Sequence, residues 1–278
     1  MPIHLSESEI IERARYLPAF PRVVTDLLET LDDDQSTMGA LAHHVERDPV
    51  ITARVVSLAN SASSGRSRSN PRDVHTAVSL IGLSRVREIV LAVSLAEFTK
   101  SSHMSSYFWE HSVAVGVCAQ EIGRFTRVSL DYALVAGLVH DIGQLWLARF
   151  YPLEFQMVRT ALNTGSQCVN ELETHYFGMN HCEVGQLLAR HWQLPESVVA
   201  AVMHHHEPDA GLDEDLVAVI HVAEVLSNAL DLTGREGNMV GYLSGAACDK
   251  LGLDWSQDLN YLFGKIEART EYACSTFR

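Results

Sequence analysis

The stretch LDYALVAGLVHDIG, residues 130–143, joins a long apolar run to a histidine and an aspartate that stand side by side. The run leaves no polar face, so it predicts a helix that is buried on all sides. His140 and Asp141 would then be desolvated, and a buried charge requires a partner or a metal ion. Adjacent side chains on a regular helix diverge by about 100°. We therefore expect the pair to converge at a helix end, which Gly143 would provide.

Helical periodicity continues on both sides of this stretch. Asn180, with Glu183 three residues later, predicts a capping box at the start of HCEVGQLLARHW. Leu194-Pro195 predicts the start of a helix that runs through SVVAAVMHHH. Further helices are expected in FWEHSVAVGVCAQEIGRF (108–125), LVAVIHVAEVLSNAL (216–230) and WSQDLNYLFGKIEART (255–270). No segment alternates apolar and polar residues over a useful length, so the predicted fold class is all-α.

Helices are also predicted within the first hundred residues. Ser36 is a plausible N-cap for a helix through Val45, Asp48-Pro49 begins the next one, and Ser84 caps another through VREIVLAVSLAEF. Residue 73 begins a helix that Gly82 ends. The polar break at 100–106 predicts a boundary between an N-terminal helical lobe (1–100) and a helical core with a metal site (101–232). A C-terminal helical extension (233–278) is expected to follow.

The composition argues against several functional classes. A formal net charge of −14 disfavours general nucleic-acid binding. No signal peptide and no apolar run of membrane-spanning length is seen, so we expect a cytoplasmic protein without membrane contact. The five cysteines form no CxxC pair and are expected to be reduced thiols. A local group of arginines is either a solvated basic face or a phosphate or partner site: Arg66, Arg68, Arg72, Arg85 and Arg87.

The chain has fourteen histidines, and several of them lie in or next to apolar helices of the second half, together with carboxylates. Imidazole and carboxylate groups bind divalent ions such as iron, manganese, zinc, nickel or magnesium. We expect side chains from separate segments to meet around a common point and bind such an ion. A lone histidine is more often a structural residue, so no function is assigned to His4, His43, His44, His75, His103, His175, His191 or His221.

Several motifs occur together in an order that resembles the HD superfamily of metal-dependent phosphohydrolases. They are W-x-H ending at His111, LVHDIG, NHCEVGQLLARHWQLPESV, HHHEP and HVAEVLS. The N-terminal segments LPAFPRVVTDLLETLDD and AVSLIGLSRVREIVLAVS narrow the resemblance to the HD-related output domain, HDOD. The resemblance covers about residues 14–232 and implies that the lobes form one structural unit.

The resemblance implies a mononuclear or dinuclear site for iron, manganese, nickel or zinc, with Asp141 as the catalytic residue. The implied metal ligands are His111, His140, Asp141, His181, His205, His206 and Glu224. Three features depart from the active phosphodiesterases of the superfamily. Gln144 replaces a lysine that would hold phosphate, Glu224 replaces an aspartate, and the GYP motif is missing. The acidic loop EPDAGLDED would also repel a cyclic dinucleotide.

Two functions follow from the resemblance, and the sequence leaves both open. One is a signal-transduction or regulatory domain that binds metal with little or no catalysis. The other is a metal-dependent phosphohydrolase acting on a phosphomonoester, nucleotide or cyclic nucleotide. Expected partners are a signalling protein or a small phosphorylated ligand, and a homodimer is also considered. The segment AVSLIGLSRVREIVLAV (77–93) has the spacing of a helix-turn-helix, but its second helix is too apolar for a DNA groove.

Overall fold

The structure, a computed structural model, describes most of the chain beyond residue 105 and shorter parts before it. The described ranges are 3–17, 74–82, 106–164, 168–233, 241–253 and 259–277, with residues 42, 45–46, 52–53, 55–57, 86–87 and 89–91. The described part contains helices and no strand, which confirms the all-α class. Within it, no helix combines the length and the hydropathy that crossing a bilayer requires.

Twelve α-helices are described. They are α1 (Glu7–Ala14), α2 (Val74–Ile81), α3 (Ser106–Gly123), α4 (Leu130–Val139), α5 (Ile142–Phe150), α6 (Pro152–Thr164), α7 (Val169–Phe177), α8 (His181–His191), α9 (Glu196–His204), α10 (Asp215–Ala229), α11 (Gly245–Leu251) and α12 (Asn260–Phe277). A single 3₁₀ turn, Pro208–Ala210, follows α9.

Most helices predicted from periodicity are present where the structure describes the chain. The capping box of α8 is formed: the Asn180 side chain accepts from the Glu183 N–H, and the Glu183 carboxylate accepts from the Asn180 N–H. Helix α2 ends before Gly82, whose φ of 87° is left-handed. Helices α1, α5, α6, α7 and α11 were not predicted. The Ser36 cap, the Asp48-Pro49 helix start and the Ser84 cap lie outside the described residues.

The core is built around α3, α4 and α10, which pack against one another. Helices α3 and α4 cross at Gly116 and Gly137, where a Cβ on Gly137 would lie 2.6 Å from the Gly116 Cα. Only glycine allows this approach. The crossing lies close in sequence to His111 on α3 and to His140 after α4, so it brings these two histidines to the same region of the core.

The expectation that Gly143 ends the helix after His140 is wrong. Helix α4 ends at Val139, and Gly143 lies inside α5. Its backbone packs against the start of α8, where a Cβ would lie 1.9 Å from the His181 carbonyl oxygen. Gly143 therefore serves a helix contact and brings α5 and α8 together next to His181.

The N-terminal residues pack on the side of this core that carries α7 and α8. The backbone N–H groups of Ile3 and Leu5 donate to the carbonyls of Tyr176 and Phe177, and α1 contacts α8. Farther along the chain, Arg87 donates to the Asp131 carboxylate at 3.2 Å, so this arginine is held in an ion pair. The other four arginines of the basic group lie outside the described residues.

Candidate metal centre

His140 and Asp141 occupy the break between two helices. His140 follows the last residue of α4, and Asp141, with φ of −97° and ψ of 17°, precedes the first residue of α5. The change in backbone direction lets adjacent side chains meet, and His140 Nε2 lies 3.5 Å from Asp141 Oδ2. Because a regular helix would separate these side chains, the break is what makes a joint site feasible.

The two carboxylate oxygens of Asp141 face different histidines. Oδ2 lies 3.5 Å from His140 Nε2 and 3.8 Å from His111 Nε2. Oδ1 lies 3.3 Å from His181 Nε2 and 3.6 Å from His205 Nε2. Asp141 is therefore at the centre of the cluster, with one pair of imidazoles on each oxygen.

Three of these histidines are held by hydrogen bonds at Nδ1. His140 Nδ1 donates to the Gly137 carbonyl at 2.7 Å, and His205 Nδ1 donates to the Val202 carbonyl at 2.9 Å. His181 Nδ1 donates to the Glu173 carboxylate at 2.5 Å. Each bond fixes the ring orientation and leaves Nε2 for the interior of the cluster, which is the usual arrangement behind metal-binding histidines.

His206 and Glu224 form the edge of the cluster. The His206 ring lies 4.2 Å from the His205 ring, and its Nδ1 lies 3.6 Å from Glu224 Oε2. The His206 side chain is 26% exposed, whereas those of His140, His181 and His205 are completely buried. Solvent therefore reaches the cluster at this edge. With these two residues, the structure brings together all seven side chains that the sequence indicated as ligands.

Burial and the charges of neighbouring side chains shift the pKa values of the residues in this cluster. Burial lowers the pKa of His140 to about 3, and it also lowers that of His206, which lies beside His205. Burial and the nearby Asp141 raise the pKa of Glu224 to about 7. Burial alone would raise the pKa of Asp141, but the surrounding histidines hold it well below its usual value. Burial alone would lower the pKa of His181 and of His205, but Cys182, together with Glu173 at His181 and Asp141 at His205, raises both above the usual value. The site therefore favours an ionised aspartate, with neutral rings at His140 and His206 and charged rings at His181 and His205.

The residues fit a metal ion. Several buried side-chain atoms lack a hydrogen-bond partner within the described part of the chain, and three of them belong to the implied ligands: His140 Nε2, Asp141 Oδ1 and His206 Nε2. His181 Nε2 and His205 Nε2 face each other at 3.3 Å, although both rings already donate through Nδ1. Two imidazole lone pairs at this separation require a cation between them, either a proton or a metal ion.

Sequence reasoning missed Glu173 and Cys182. Glu173 is fully buried on α7 and accepts from both the backbone N–H and Nδ1 of His181. In the sequence, Glu173 is recognisable only as an acidic residue on the same helix face as Asn170 and Phe177, which is buried in the structure. Cys182 Sγ lies 3.5 Å from His181 Nε2, and its signal is only its position after a candidate ligand.

His221, to which no role was assigned, supports the ligand-bearing segment after α9. Its Nδ1 donates to the His205 carbonyl at 2.7 Å, and its Nε2 accepts from the Ser244 N–H at 3.0 Å. The Ser244 hydroxyl donates in turn to Asp209 at 2.7 Å. His221 thus connects α10 and the start of α11 to the backbone of His205.

Comparisons with known proteins agree with this architecture. The model of the HDOD domain family matches residues 17–208. An uncharacterized protein of Treponema pallidum is 22% identical over 233 residues, covering 81% of this chain. The chain spans 44% of the length of that relative.

Two solved structures have a similar fold. An HDOD domain protein of unknown function from Geobacter sulfurreducens is 25% identical, with a TM-score of 0.74 over 96% of this chain and 99% of that chain. A candidate phosphohydrolase from Shewanella amazonensis is 21% identical, with a TM-score of 0.73 over 97% of this chain and 98% of that chain. These likenesses extend over nearly the whole helical fold.

Proposed function

This chain belongs to the HDOD domain family, and we propose that it acts in signal transduction as a regulatory domain that binds a divalent transition metal. The observation that carries the proposal is the position of Asp141, whose two oxygens each face a pair of histidines. A buried carboxylate among imidazoles whose Nε2 atoms point inward is suited to holding one ion or two.

The ligands divide into two groups that share Asp141. His111 and His140 lie at Oδ2, and His181 and His205 lie at Oδ1. His206 and Glu224 lie at the exposed edge and complete the set. Imidazole and carboxylate ligands suit iron, manganese, nickel or zinc. A bound ion of this kind would supply Lewis-acid activation of water and of a phosphoryl oxygen.

The closed surroundings of the cluster favour regulation over turnover. The Asp141 side chain is 6% exposed and His181 and His205 are fully buried, so a substrate reaches Asp141 only if the site opens. Gln144 supplies no positive charge for a phosphate. The proposal also includes a cytoplasmic location. The partner that we propose is a signalling protein, a small phosphorylated ligand or a second copy of this chain.

A metal-dependent phosphohydrolase is the second candidate, because the implied ligand set is complete. Glu224 lies beside the partly exposed ring of His206, so a phosphate ester would approach at this edge. If phosphate chemistry occurs, Gln144→Lys and Glu224→Asp should raise turnover. If the domain only binds metal, neither change should produce turnover.

The experiment is metal analysis of the purified full chain, followed by a hydrolysis screen. We expect bound transition metal in the wild type and a loss of most of it in Asp141→Asn. His191→Ala, an exposed histidine at the end of α8, is the matched control and should keep the metal. The screen uses phosphomonoesters and cyclic dinucleotides with Mn²⁺, Fe²⁺ and Ni²⁺.

The outcomes separate the candidates. A wild-type protein that takes up no metal, even when loaded with each ion, would refute both. Turnover that Asp141→Asn abolishes and His191→Ala preserves would replace the regulatory proposal by the enzymatic one. Metal without turnover supports the regulatory domain.

A further inference from the structure

The thiol of Cys182 lies inside the candidate metal centre. The residue is 2% exposed, and Sγ lies 3.5 Å from His181 Nε2 and 4.0 Å from His205 Nε2. The residues of the implied ligand set are imidazoles and carboxylates, so this sulfur introduces a different class of ligand. Its position follows from the start of α8, where His181 and Cys182 are the first two residues.

We propose that Cys182 binds, through its sulfur, the ion that His181, His205 and Asp141 hold, and that this position therefore selects zinc. The inference rests on the proposed metal-binding function. It goes beyond that function because it names a ligand of a different chemical class and the metal that this ligand favours.

Most distances between these atoms are close to those of a tetrahedral site. With metal–nitrogen distances of about 2.0–2.1 Å and a metal–sulfur distance of about 2.3 Å, two nitrogens would lie about 3.3 Å apart, and a nitrogen and a sulfur about 3.6 Å apart. The two Nε2 atoms of His181 and His205 are 3.3 Å apart, and Cys182 Sγ is 3.5 Å from His181 Nε2. Sγ lies 3.9 Å from Nδ1 and 4.0 Å from Nε2 of His205, so the thiol must rotate toward the Nε2 side of that ring to share the ion.

Asp141 provides the fourth corner. Its Oδ1 lies 3.3 Å from His181 Nε2 and 3.6 Å from His205 Nε2, and it is one of the buried atoms without a hydrogen-bond partner among the described residues. Five of the six edges of this tetrahedron are thus known. Four are within about 0.3 Å of the expected length, whereas the edge from Cys182 Sγ to His205 Nε2 is 4.0 Å against about 3.6 Å.

Helix α7 supports both ligands at the start of α8. Glu173 holds the His181 ring through Nδ1, and the amide nitrogen of Asn170 lies 3.9 Å from Cys182 Sγ. The oxygen of the same amide lies 4.0 Å from Sγ, so Asn170 can accept from the thiol or donate to the thiolate that binds metals. Because thiolate favours Zn²⁺ over Mn²⁺ or Mg²⁺, Cys182 strengthens the preference for zinc that the imidazole ligands already give this position.

The test uses the full chain, freed of metal by a chelator and reloaded with Co²⁺. Sulfur ligation produces an intense near-ultraviolet charge-transfer band, which we expect in the wild type and not in Cys182→Ser. Competition with a chromophoric chelator should show at least a tenfold loss of Zn²⁺ affinity in Cys182→Ser and a smaller change for Mn²⁺. Cys118→Ser, which alters a buried thiol on α3, should keep the band and the affinity.

The results test sulfur ligation by Cys182 separately from metal binding by the domain. Wild-type protein that binds Co²⁺ without the band, or a Cys182→Ser variant that retains it, would overturn sulfur ligation and leave the metal-binding function intact. Wild-type protein that binds neither Co²⁺ nor Zn²⁺ would overturn both. X-ray absorption of the zinc-loaded wild type needs no variant, and it should show a sulfur neighbour at about 2.3 Å; a shell of nitrogen and oxygen alone would refute the inference.

Discussion

Glu173 accepts two hydrogen bonds from His181, one from the backbone N–H at 2.8 Å and one from the ring Nδ1 at 2.5 Å. Both side chains are fully buried. The pair joins α7 to the first residue of α8, and it directs His181 Nε2 toward Asp141. A carboxylate in this position orients a metal-binding imidazole and increases its basicity.

Replacing this carboxylate should weaken the proposed metal site without removing a ligand. We expect Glu173→Gln to lower metal affinity by about 10–100-fold, because the neutral amide holds the ring less well and lowers its basicity. Chelator competition on the full chain measures this. Glu171→Gln changes an exposed glutamate on the same helix and should leave the affinity unchanged; equal losses in both variants would contradict the role of Glu173.

Removal of the metal should lower the stability of the folded domain. A ligand that binds only the native state stabilises it by about 2.7 kcal/mol at a free concentration one hundred times Kd. Thermal unfolding with added Zn²⁺ and with a chelator should therefore differ by several degrees in the wild type. Asp141→Asn, in which the carboxylate between the two histidine pairs is lost, should show little difference between these conditions.

Gly143→Ala should disrupt the contact between α5 and α8. The new Cβ would lie 1.9 Å from the His181 carbonyl oxygen and 2.8 Å from the Gly185 nitrogen. The helices must separate, which we expect to destabilise the fold by about 1–3 kcal/mol or more and to displace His181. Chemical denaturation and metal content measure the two effects.

Gly264→Ala is the matched control for this variant. Gly264 lies inside α12, and among the described residues a Cβ there would meet nothing within 4 Å. Alanine should stabilise this helix by up to about 1 kcal/mol. A Gly143→Ala protein as stable as the wild type would show that α5 and α8 pack less closely than the structure indicates.

An ion cluster around a buried carboxylate, away from the metal site, anchors α12 to α3. The Glu121 carboxylate on α3 is 1% exposed and pairs with Lys265 at 2.7 Å, with Arg124 at 3.1 Å and with Arg269. Because the three cations are partly exposed and remain solvated without the carboxylate, Glu121→Gln should destabilise the protein by about 1–3 kcal/mol. Glu267→Gln, at an exposed position on α12, should have little effect in the same urea titration.

This cluster should also make stability depend on pH. Burial alone would raise the pKa of Glu121, but Lys265, Arg269 and Arg124 outweigh it and lower the pKa below its ordinary value of 4.5. The stabilisation is therefore complete above the unfolded-state pKa and is lost as the pH falls through the lower folded-state pKa. The difference in unfolding free energy between wild type and Glu121→Gln should be constant near neutral pH and shrink in acid; a constant difference down to pH 3 would contradict this assignment.

The local features of the fold could be predicted from the sequence because they depend on neighbours along the chain. The capping box at Asn180, the end of α2 before Gly82 and the buried helix before His140 all follow from periodicity and backbone preference. The seven candidate ligands could be identified from motifs in the resemblance. Their metal-binding role remains a prediction, although the structure brings them together.

Tertiary packing decided which other groups belong to the site. A glycine can end a helix or allow two helices to pack closely, and the sequence does not distinguish these two roles. Only the position of α8 showed that Gly143 lies at a close helix contact. Glu173, Cys182 and His221 gained their partners from the start of α8, the segment after α9 and the start of α11, and no periodic pattern encodes the distance between separate helices. The sequence by itself determined the helices and the chemistry available, whereas their packing determined which buried side chains face Asp141, because desolvation and ligand geometry depend on contacts between distant segments.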